Sequence, residues 1–283
     1  MTLHREQPLI LDIDGEVALG IAHIPDHSVK TGILMVPGAP QYRAGPHRLF
    51  VSLARHLAGQ GFSVLRADRR GLGDSDGEQI AFDHMAPDMA SALSALKAAD
   101  PRVERVLLLG LCDGASASML HGSQHREVSG MLLLNPWVST RAGRAQAVLK
   151  GYYLPRLARW RRWLAVLGSF ARLRRAVVNI SRALIASMKP ASGTDAAPSF
   201  AVDMLKQWID FDGKVLVVLS GQDIDATAFD RFIHRTLGWS PLTEAARTHL
   251  VRLRTADHTF TDLKDREILF AEIDQWLAAF DRA

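Results

Sequence analysis

One stretch decides the fold: Val106-Leu107-Leu108-Leu109-Gly110-Leu111-Cys112-Asp113-Gly114-Ala115-Ser116-Ala117-Ser118. An apolar run leads into Gly-x-Cys-x-Gly, and small residues that suit a helix follow. This order predicts a strand, a sharp turn and a helix, with the residue between the glycines presented at the turn. Glycines at these positions let the backbone turn tightly and let the helix approach the strand. Cys112, the only cysteine of the chain, is therefore a candidate nucleophile.

Predicted strands and helices alternate along the rest of the chain. The predicted strands are 8–14, 16–24, 31–36, 63–67, 103–109, 130–135, 214–220 and 249–253, and the predicted helices are 47–60, 82–99, 200–209 and 264–280. Continuous apolar strands such as Thr31–Val36 are typical of a sheet covered on both faces. We therefore predict an α/β fold, a mostly parallel sheet with helices on both faces.

The charge is distributed unevenly between two parts of the chain. Residues 137–194 contain 12 Lys and Arg and no Asp or Glu, which leaves 22 basic and 30 acidic residues elsewhere. Apolar residues recur at helical spacing in this basic segment. We predict a core domain formed by 1–136 and 200–283 and a basic helical cap formed by 137–199. The cap arginines are either solvated, or they form a cationic surface for an anionic membrane or an acidic substrate. No recognised nucleic-acid-binding module accompanies the charge.

Composition also limits the compartment and the chemistry. A single cysteine excludes a disulfide within the chain and a thiolate-rich metal site. No apolar signal region opens the sequence, and no run of about 18 apolar residues occurs. We expect a cytoplasmic protein, membrane-peripheral if the cap binds lipid, with no metal and no organic cofactor.

A cysteine nucleophile needs a base, and the base needs an acid that orients it. Asp223 follows the predicted strand 214–220 and is the preferred acid, whereas Asp225 is interpreted as the N-cap of the next helix. His258 follows the last predicted strand and precedes the last helix, so it is the predicted base. We interpret its neighbour Asp257 as structural. The alternative for Cys112 is a small buried core residue, but an acid and a histidine in this order favour the nucleophile.

An oxyanion hole needs two backbone N–H groups aimed at the developing negative charge. We predict that Asp113 and Ala39 supply them, and that Gly38 gives the backbone room to approach the ligand. The carboxylate of Asp113 opposes thiolate formation at the adjacent sulfur. An ion pair of Asp113 with Arg43 or Arg69 would relieve that conflict.

The combined motifs resemble the α/β-hydrolase superfamily, with the basic segment in the place of that fold's helical cap. They are the elbow, residues 68–75 (Asp-Arg-Arg-Gly-Leu-Gly-Asp-Ser), 220–223 (Ser-Gly-Gln-Asp) and 256–260 (Ala-Asp-His-Thr-Phe). More narrowly, residues 36–43, 110–117 and 134–138 resemble the exosortase A system-associated hydrolases of type 1, bacterial proteins associated with exopolysaccharide and protein-sorting loci. Cysteine in place of serine is similar to dienelactone hydrolases. Within these motifs we predict that Gly38, Gln41 and Trp137 contact the substrate.

Together these features predict a carboxylesterase-like acyl hydrolase that acts on a small-molecule ester or thioester. Cys112 would attack the carbonyl carbon, His258 would move the protons, and Asp223 would orient His258. One alternative is acyl transfer to a sugar or lipid hydroxyl. A second alternative, from a different class, is a non-catalytic membrane-associated binding protein.

Overall fold

A single eight-stranded sheet organises the computed structural model, which describes residues 3–138, 199–236, 238–241 and 245–280. The sheet order is β1-β2-β4-β3-β5-β6-β7-β8. Strand β2 pairs antiparallel with β1 and β4, and every other pairing is parallel. The strands are β1 (His4–Ile13), β2 (Glu16–Pro25), β3 (Thr31–Val36), β4 (Ser63–Ala67), β5 (Arg105–Leu111), β6 (Val128–Leu134), β7 (Lys214–Ser220) and β8 (Thr248–Leu253).

Helices cover both faces of this sheet. In the described ranges we number them α1 (Leu49–Gly59), α2 (Ala86–Ala99), α3 (Asp113–His121), α4 (Ser199–Asp210), α5 (Ile224–Arg235) and α6 (Leu263–Phe280). Apolar residues of α1 and α6, such as Phe50 and Ile273, pack with Ile33 and Leu107 on one face. Residues of α2 to α5 form the second buried cluster on the other face. None of the helices in the described ranges is long and apolar enough to cross a membrane.

The predicted α/β architecture is confirmed, with small shifts at the ends of elements. Strands β3, β4 and β7 begin and end at the predicted residues. The predicted helix 82–99 is instead a 3-10 turn, Phe82–His84, followed by α2, which has a proline in its first turn. The first strand begins at His4, earlier than predicted, because residues 4–13 all pair with β2.

Only the two ends of the predicted cap, 137–199, lie among the residues that the structure describes. Trp137 and Val138 continue from β6, and Ser199 begins α4. The remainder of the predicted cap, 139–198, lies outside the described residues. The parallel arrangement of β3 to β8 places the carboxyl ends of β5, β7 and β8 at one edge of the sheet, where the predicted catalytic residues follow.

Candidate active site

Cys112 occupies a sharp turn between β5 and α3. Its φ of 57° and ψ of −121° are unusual for a residue with a side chain. The turn depends on the flanking glycines: a Cβ at Gly110 would lie 2.4 Å from the Ala115 nitrogen, and one at Gly114 would lie 1.9 Å from the Val36 oxygen. Cys112 is partly exposed. The backbone therefore presents the thiol at the carboxyl end of the sheet while α3 packs against β3.

His258 and Asp223 come from two neighbouring loops and meet beside this turn. His258 Nδ1 and Asp223 Oδ2 are 2.7 Å apart. Asp223 is buried, and its carboxylate also accepts hydrogen bonds from the backbone N–H groups of Asp225 (3.1 Å) and Ala226 (3.2 Å). This pattern makes Asp223 the N-cap of α5. The interpretation of Asp225 as that N-cap is wrong, because Asp225 lies inside the first turn.

The surroundings of His258 favour its protonated form. The hydrogen bond with Asp223, followed by one with Cys112, raises the pKa of His258 to about 10, although burial acts in the opposite direction. Cys112 and His258, the predicted nucleophile and base, are thus close enough to interact. Asp223 is the first cause of this shift, because its hydrogen bond and negative charge stabilise the imidazolium.

Asn135, which the sequence analysis missed, positions the loop that carries His258. Its side chain is fully buried and its φ is 47°. The amide donates to the Ser220 hydroxyl and to the His258 carbonyl, both at 2.9 Å, and accepts from the Ser220 N–H at 2.8 Å. One amide therefore joins the ends of β6 and β7 to the His258 loop. The signal in the sequence is an Asn at the end of an apolar strand, directly before a proline.

Gly38 and Ala39 lie on the loop after β3, next to the nucleophile turn. A Cβ at Gly38 would lie 2.7 Å from the Leu111 oxygen and 3.1 Å from the Asp113 nitrogen. Gly38 thus lets this loop approach the backbone N–H of Asp113, which has no partner within α3 because Asp113 is the first residue of that helix. The Gln41 N–H donates to the Gly38 carbonyl at 2.8 Å. The Gln41 Oε1 atom is buried and accepts no hydrogen bond from the described residues.

Arg43 anchors the same loop to the loop after β4. Its backbone N–H donates to Asp68 at 2.6 Å, and its guanidinium donates to the carboxylates of Asp68 and, at 2.6 Å, Asp74. The Asp68 side chain is fully buried. Of the two arginines considered as partners of Asp113, Arg43 instead pairs with Asp68 and Asp74.

Asp113 is linked to its surroundings by three interactions. Its Oδ1 accepts a hydrogen bond from the Trp137 indole N–H at 2.6 Å and lies 3.8 Å from Cys112 Sγ, within hydrogen-bond distance for sulfur. Its charge also acts on Arg69: burial lowers the pKa of Arg69, and Asp113 and Asp88 raise it again. Among the described residues Asp113 makes no ion pair within 4.0 Å. Arg69 thus compensates Asp113 at longer range.

Trp137 is held against α3 and forms part of an aromatic cluster. The Ser116 hydroxyl donates to the Trp137 carbonyl at 2.9 Å and accepts from the Trp137 N–H at 3.1 Å. The ring packs edge-to-face with Phe82 and Phe200, with centroid distances of 5.2 and 5.7 Å. The partly exposed ring of Trp137 lies next to the nucleophile through its bond to Asp113.

One group of side chains in the described part of the chain has the spacing of a metal site, at the antiparallel edge. It consists of His4, Glu6 and His23. Arg66 donates to His23 Nε2 at 3.0 Å, so a neutral His23 carries its proton on Nδ1, the atom that faces Glu6 at 3.8 Å. Arg55 donates to Glu6 at 2.6 Å. Arginines therefore bind His23 Nε2 and Glu6, whereas His23 Nδ1 has no hydrogen-bond partner among the described residues, and these positive charges disfavour a bound cation.

Comparison with known proteins identifies the family of the chain. Residues 43–189, just over half of the chain, match the family Hydrolase_4, described as serine aminopeptidase, S33. The chain belongs to the Hydrolase_4 family. A search of curated proteins found none that matches. Hydrolase_4 membership makes the chain an α/β-hydrolase, as the sequence motifs predict, although its nucleophile turn holds cysteine where the family description names serine.

Solved structures with similar folds extend over nearly the whole chain. An esterase of Pyrococcus furiosus is 16% identical with a TM-score of 0.66, and the match covers 98% of this chain and 91% of that one. The esterase Est1E of Butyrivibrio proteoclasticus, with ferulic acid bound, is 16% identical with a TM-score of 0.64 and coverages of 97% and 100%. The enol-lactonase of Burkholderia xenovorans is 15% identical with a TM-score of 0.59 and coverages of 95% and 100%. At these identities the similarity shows that the Hydrolase_4 chain shares their fold.

Proposed function

We propose that the protein hydrolyses esters or thioesters through a covalent acyl-enzyme, with Cys112 as nucleophile, His258 as base and Asp223 as the acid that orients His258. The observation that carries the proposal is the 2.7 Å contact of His258 with Asp223, together with the hydrogen bond of His258 to a cysteine in a nucleophile-turn conformation. Nucleophile, base and orienting acid in series are the arrangement that acyl transfer to a side chain needs. The solved structures of similar fold are named as two esterases and an enol-lactonase, which supports an ester substrate.

The proposed reaction proceeds in two halves. Cys112 Sγ attacks the carbonyl carbon, its proton resides on His258, and the carbonyl electron pair moves to oxygen, where the Ala39 and Asp113 N–H groups hold it. The tetrahedral species then collapses, and the leaving alcohol or thiol takes the proton from His258. Water attacks the acyl carbon in the second half, gives its proton to His258, and the collapse returns Cys112 and releases the acid.

Direct detection of the acyl-enzyme tests the nucleophile. We would incubate the protein with p-nitrophenyl butyrate and with a short-chain acyl thioester and measure the intact mass at short times. The expected result is one acyl group on Cys112, and Cys112→Ala is expected to lose at least about 10³-fold in turnover. Undiminished turnover in Cys112→Ala would overturn the proposal.

The chain offers a matched control for the base. His56 also pairs with a carboxylate, that of Asp274 at 2.9 Å, but it lies on α1 and no cysteine is near it in sequence or fold. His258→Ala is expected to abolish ester turnover, whereas His56→Ala is expected to retain it. Equal losses in both variants would mean that the effect of His258 is structural.

Three finer proposals concern the substrate and the surroundings. The motifs at 36–43, 110–117 and 134–138 support membership of the exosortase A system-associated hydrolases of type 1. Gly38, Gln41 and Trp137 are proposed substrate contacts. Gly38 approaches the Asp113 N–H, the buried Oε1 of Gln41 accepts no hydrogen bond from the described residues, and Trp137 lies beside the proposed nucleophile.

The basic cap, 137–199, is proposed to bind an acidic substrate or an anionic membrane, in a protein that is cytoplasmic and peripheral to the membrane. An amino-acid anilide, added to the substrate panel, tests the peptidase activity in the family's name.

A further inference from the structure

The side chain of Asp113 has no role in the proposed reaction, which uses only its backbone N–H. Its Oδ1 nevertheless lies 3.8 Å from Cys112 Sγ and 2.6 Å from the Trp137 indole nitrogen. An acid in the first turn of a helix is stabilised by the helix dipole, and that alone would explain an Asp here. The dipole does not explain why the carboxylate oxygen faces the nucleophilic sulfur.

Three groups stabilise a negative charge at Asp113. The Trp137 N–H donates to it, the amino end of α3 faces it, and the guanidinium of Arg69 acts on it electrostatically. Arg69 is 2% exposed, and its Nε and Nη1 atoms have no hydrogen-bond partner among the described residues. The buried guanidinium of Arg69 and the carboxylate of Asp113 therefore attract each other.

Two carboxylates therefore act on the Cys112–His258 pair from opposite ends. Asp223 contacts the imidazole at 2.7 Å and favours imidazolium with thiolate. Asp113 lies beside the sulfur and opposes a negative charge there, which favours neutral imidazole with thiol. These forms differ only in the position of one proton. Arg69 acts on this pair through its attraction to Asp113.

We propose that Asp113 is a positioning residue that accepts the hydrogen bond of the Cys112 thiol and, against the effect of Asp223, lowers the share of thiolate in the resting enzyme. The inference rests on the proposed function. The opposition from Asp113 disappears as the sulfur–carbon bond forms, because the negative charge then moves onto the carbonyl oxygen. A resting thiol is a weaker nucleophile than a thiolate and resists oxidation and alkylation. Asp113 thus protects the single cysteine at the cost of intrinsic reactivity.

Alkylation by iodoacetamide tests this directly, because Cys112 is the only thiol and intact mass reports its modification without any turnover. Asp113→Asn is expected to alkylate about 5- to 10-fold faster than wild type at pH 7 and to shift the pH profile of the rate downward, since a charge at this distance is removed. Asp223→Asn is expected to alkylate more slowly than wild type and to shift the profile upward. If Asp113 had a purely structural role, the two variants would not change the alkylation rate in opposite directions.

Equal or slower alkylation of Asp113→Asn overturns the inference. If circular dichroism shows that this variant is unfolded, Asp113→Ser, a second neutral variant that suits the start of a helix, takes its place with the same expectation. The acyl-enzyme experiment separates the two proposals. Acyl-Cys112 together with an unchanged alkylation rate refutes the role of Asp113 alone, whereas faster alkylation without any acyl-Cys112 refutes the hydrolase mechanism alone.

Discussion

Asp223 combines the capping of a helix and its proposed chemical role in one carboxylate. Its two oxygens accept from the Asp225 and Ala226 N–H groups, which caps α5, and Oδ2 also contacts His258. Both tasks use the same negative charge. The helix cap fixes the carboxylate, and the fixed carboxylate then orients the imidazole, so the orientation of His258 is set by the start of a helix.

The two tasks separate in Asp223→Asn. Asparagine caps helices about as well as aspartate, so we expect the helical content measured by circular dichroism to stay that of wild type. Asparagine does not stabilise imidazolium and favours the wrong tautomer, so kcat/KM for p-nitrophenyl butyrate is expected to fall by about 10²- to 10⁴-fold. The control is Asp225→Asn, two residues further along α5, whose activity is expected to stay within about 3-fold of wild type. Comparable losses in both variants would contradict the assignment of Asp223.

At the level of elements, the sequence predicts local features such as strand limits and the turn at Cys112. It does not predict the side-chain contacts that join loops distant in sequence. The strand limits of β3, β4 and β7 follow from uninterrupted apolar runs between turn residues, and the turn at Cys112 follows from its glycines. The contacts of Asn135 with His258 and of Arg43 with Asp68 join residues 123 and 25 positions apart. Such pairs depend on how strand ends are arranged in the sheet, which periodicity does not encode. The same reason explains why the sequence left the partner of Asp113 open between Arg43 and Arg69.

The loop that carries Ala39 is expected to lose its position in Arg43→Gln. This change removes the guanidinium bonds to Asp68 and Asp74 and leaves a fully buried carboxylate without its cation. A small displacement of an oxyanion donor lowers transition-state stabilisation, so we expect kcat to fall about 10-fold or more. Arg55→Gln removes a half-exposed ion pair with Glu6 on the far edge of the sheet and should change kcat less than about 2-fold. An unchanged kcat in Arg43→Gln would show that the loop holds its place without this anchor.

At the scale of the whole molecule, two histidines with shifted pKa values are expected to give the free energy of unfolding a maximum at an intermediate pH. Burial, followed by the positive charge of Arg66, lowers the pKa of His23 to about 4, and Asp223 and Cys112 raise the pKa of His258 to about 10. Both residues titrate near 6.5 when the chain is unfolded. Below pH 6.5 the unfolded state binds a proton at His23, whereas the folded state does not bind it until the pH approaches 4. Above pH 6.5 the folded state keeps a proton on His258 that the unfolded state loses.

The free energy of unfolding is therefore expected to be highest near pH 6.5 and to fall on either side. The contribution of His23 is lost as the pH falls from 6.5 toward 4 and is on the order of 3 kcal/mol in total. That of His258 is lost as the pH rises from 6.5 toward 10. Urea unfolding followed by circular dichroism across this range measures both limbs.

Because Gln does not titrate, His23→Gln should flatten the acid limb alone. The control His249→Gln, at an exposed site on β8, should leave the acid limb unchanged. Asp223→Asn removes the largest cause of the raised pKa and should flatten the alkaline limb alone. If the acid limb has the same slope in His23→Gln as in wild type, groups other than His23 cause that loss of stability.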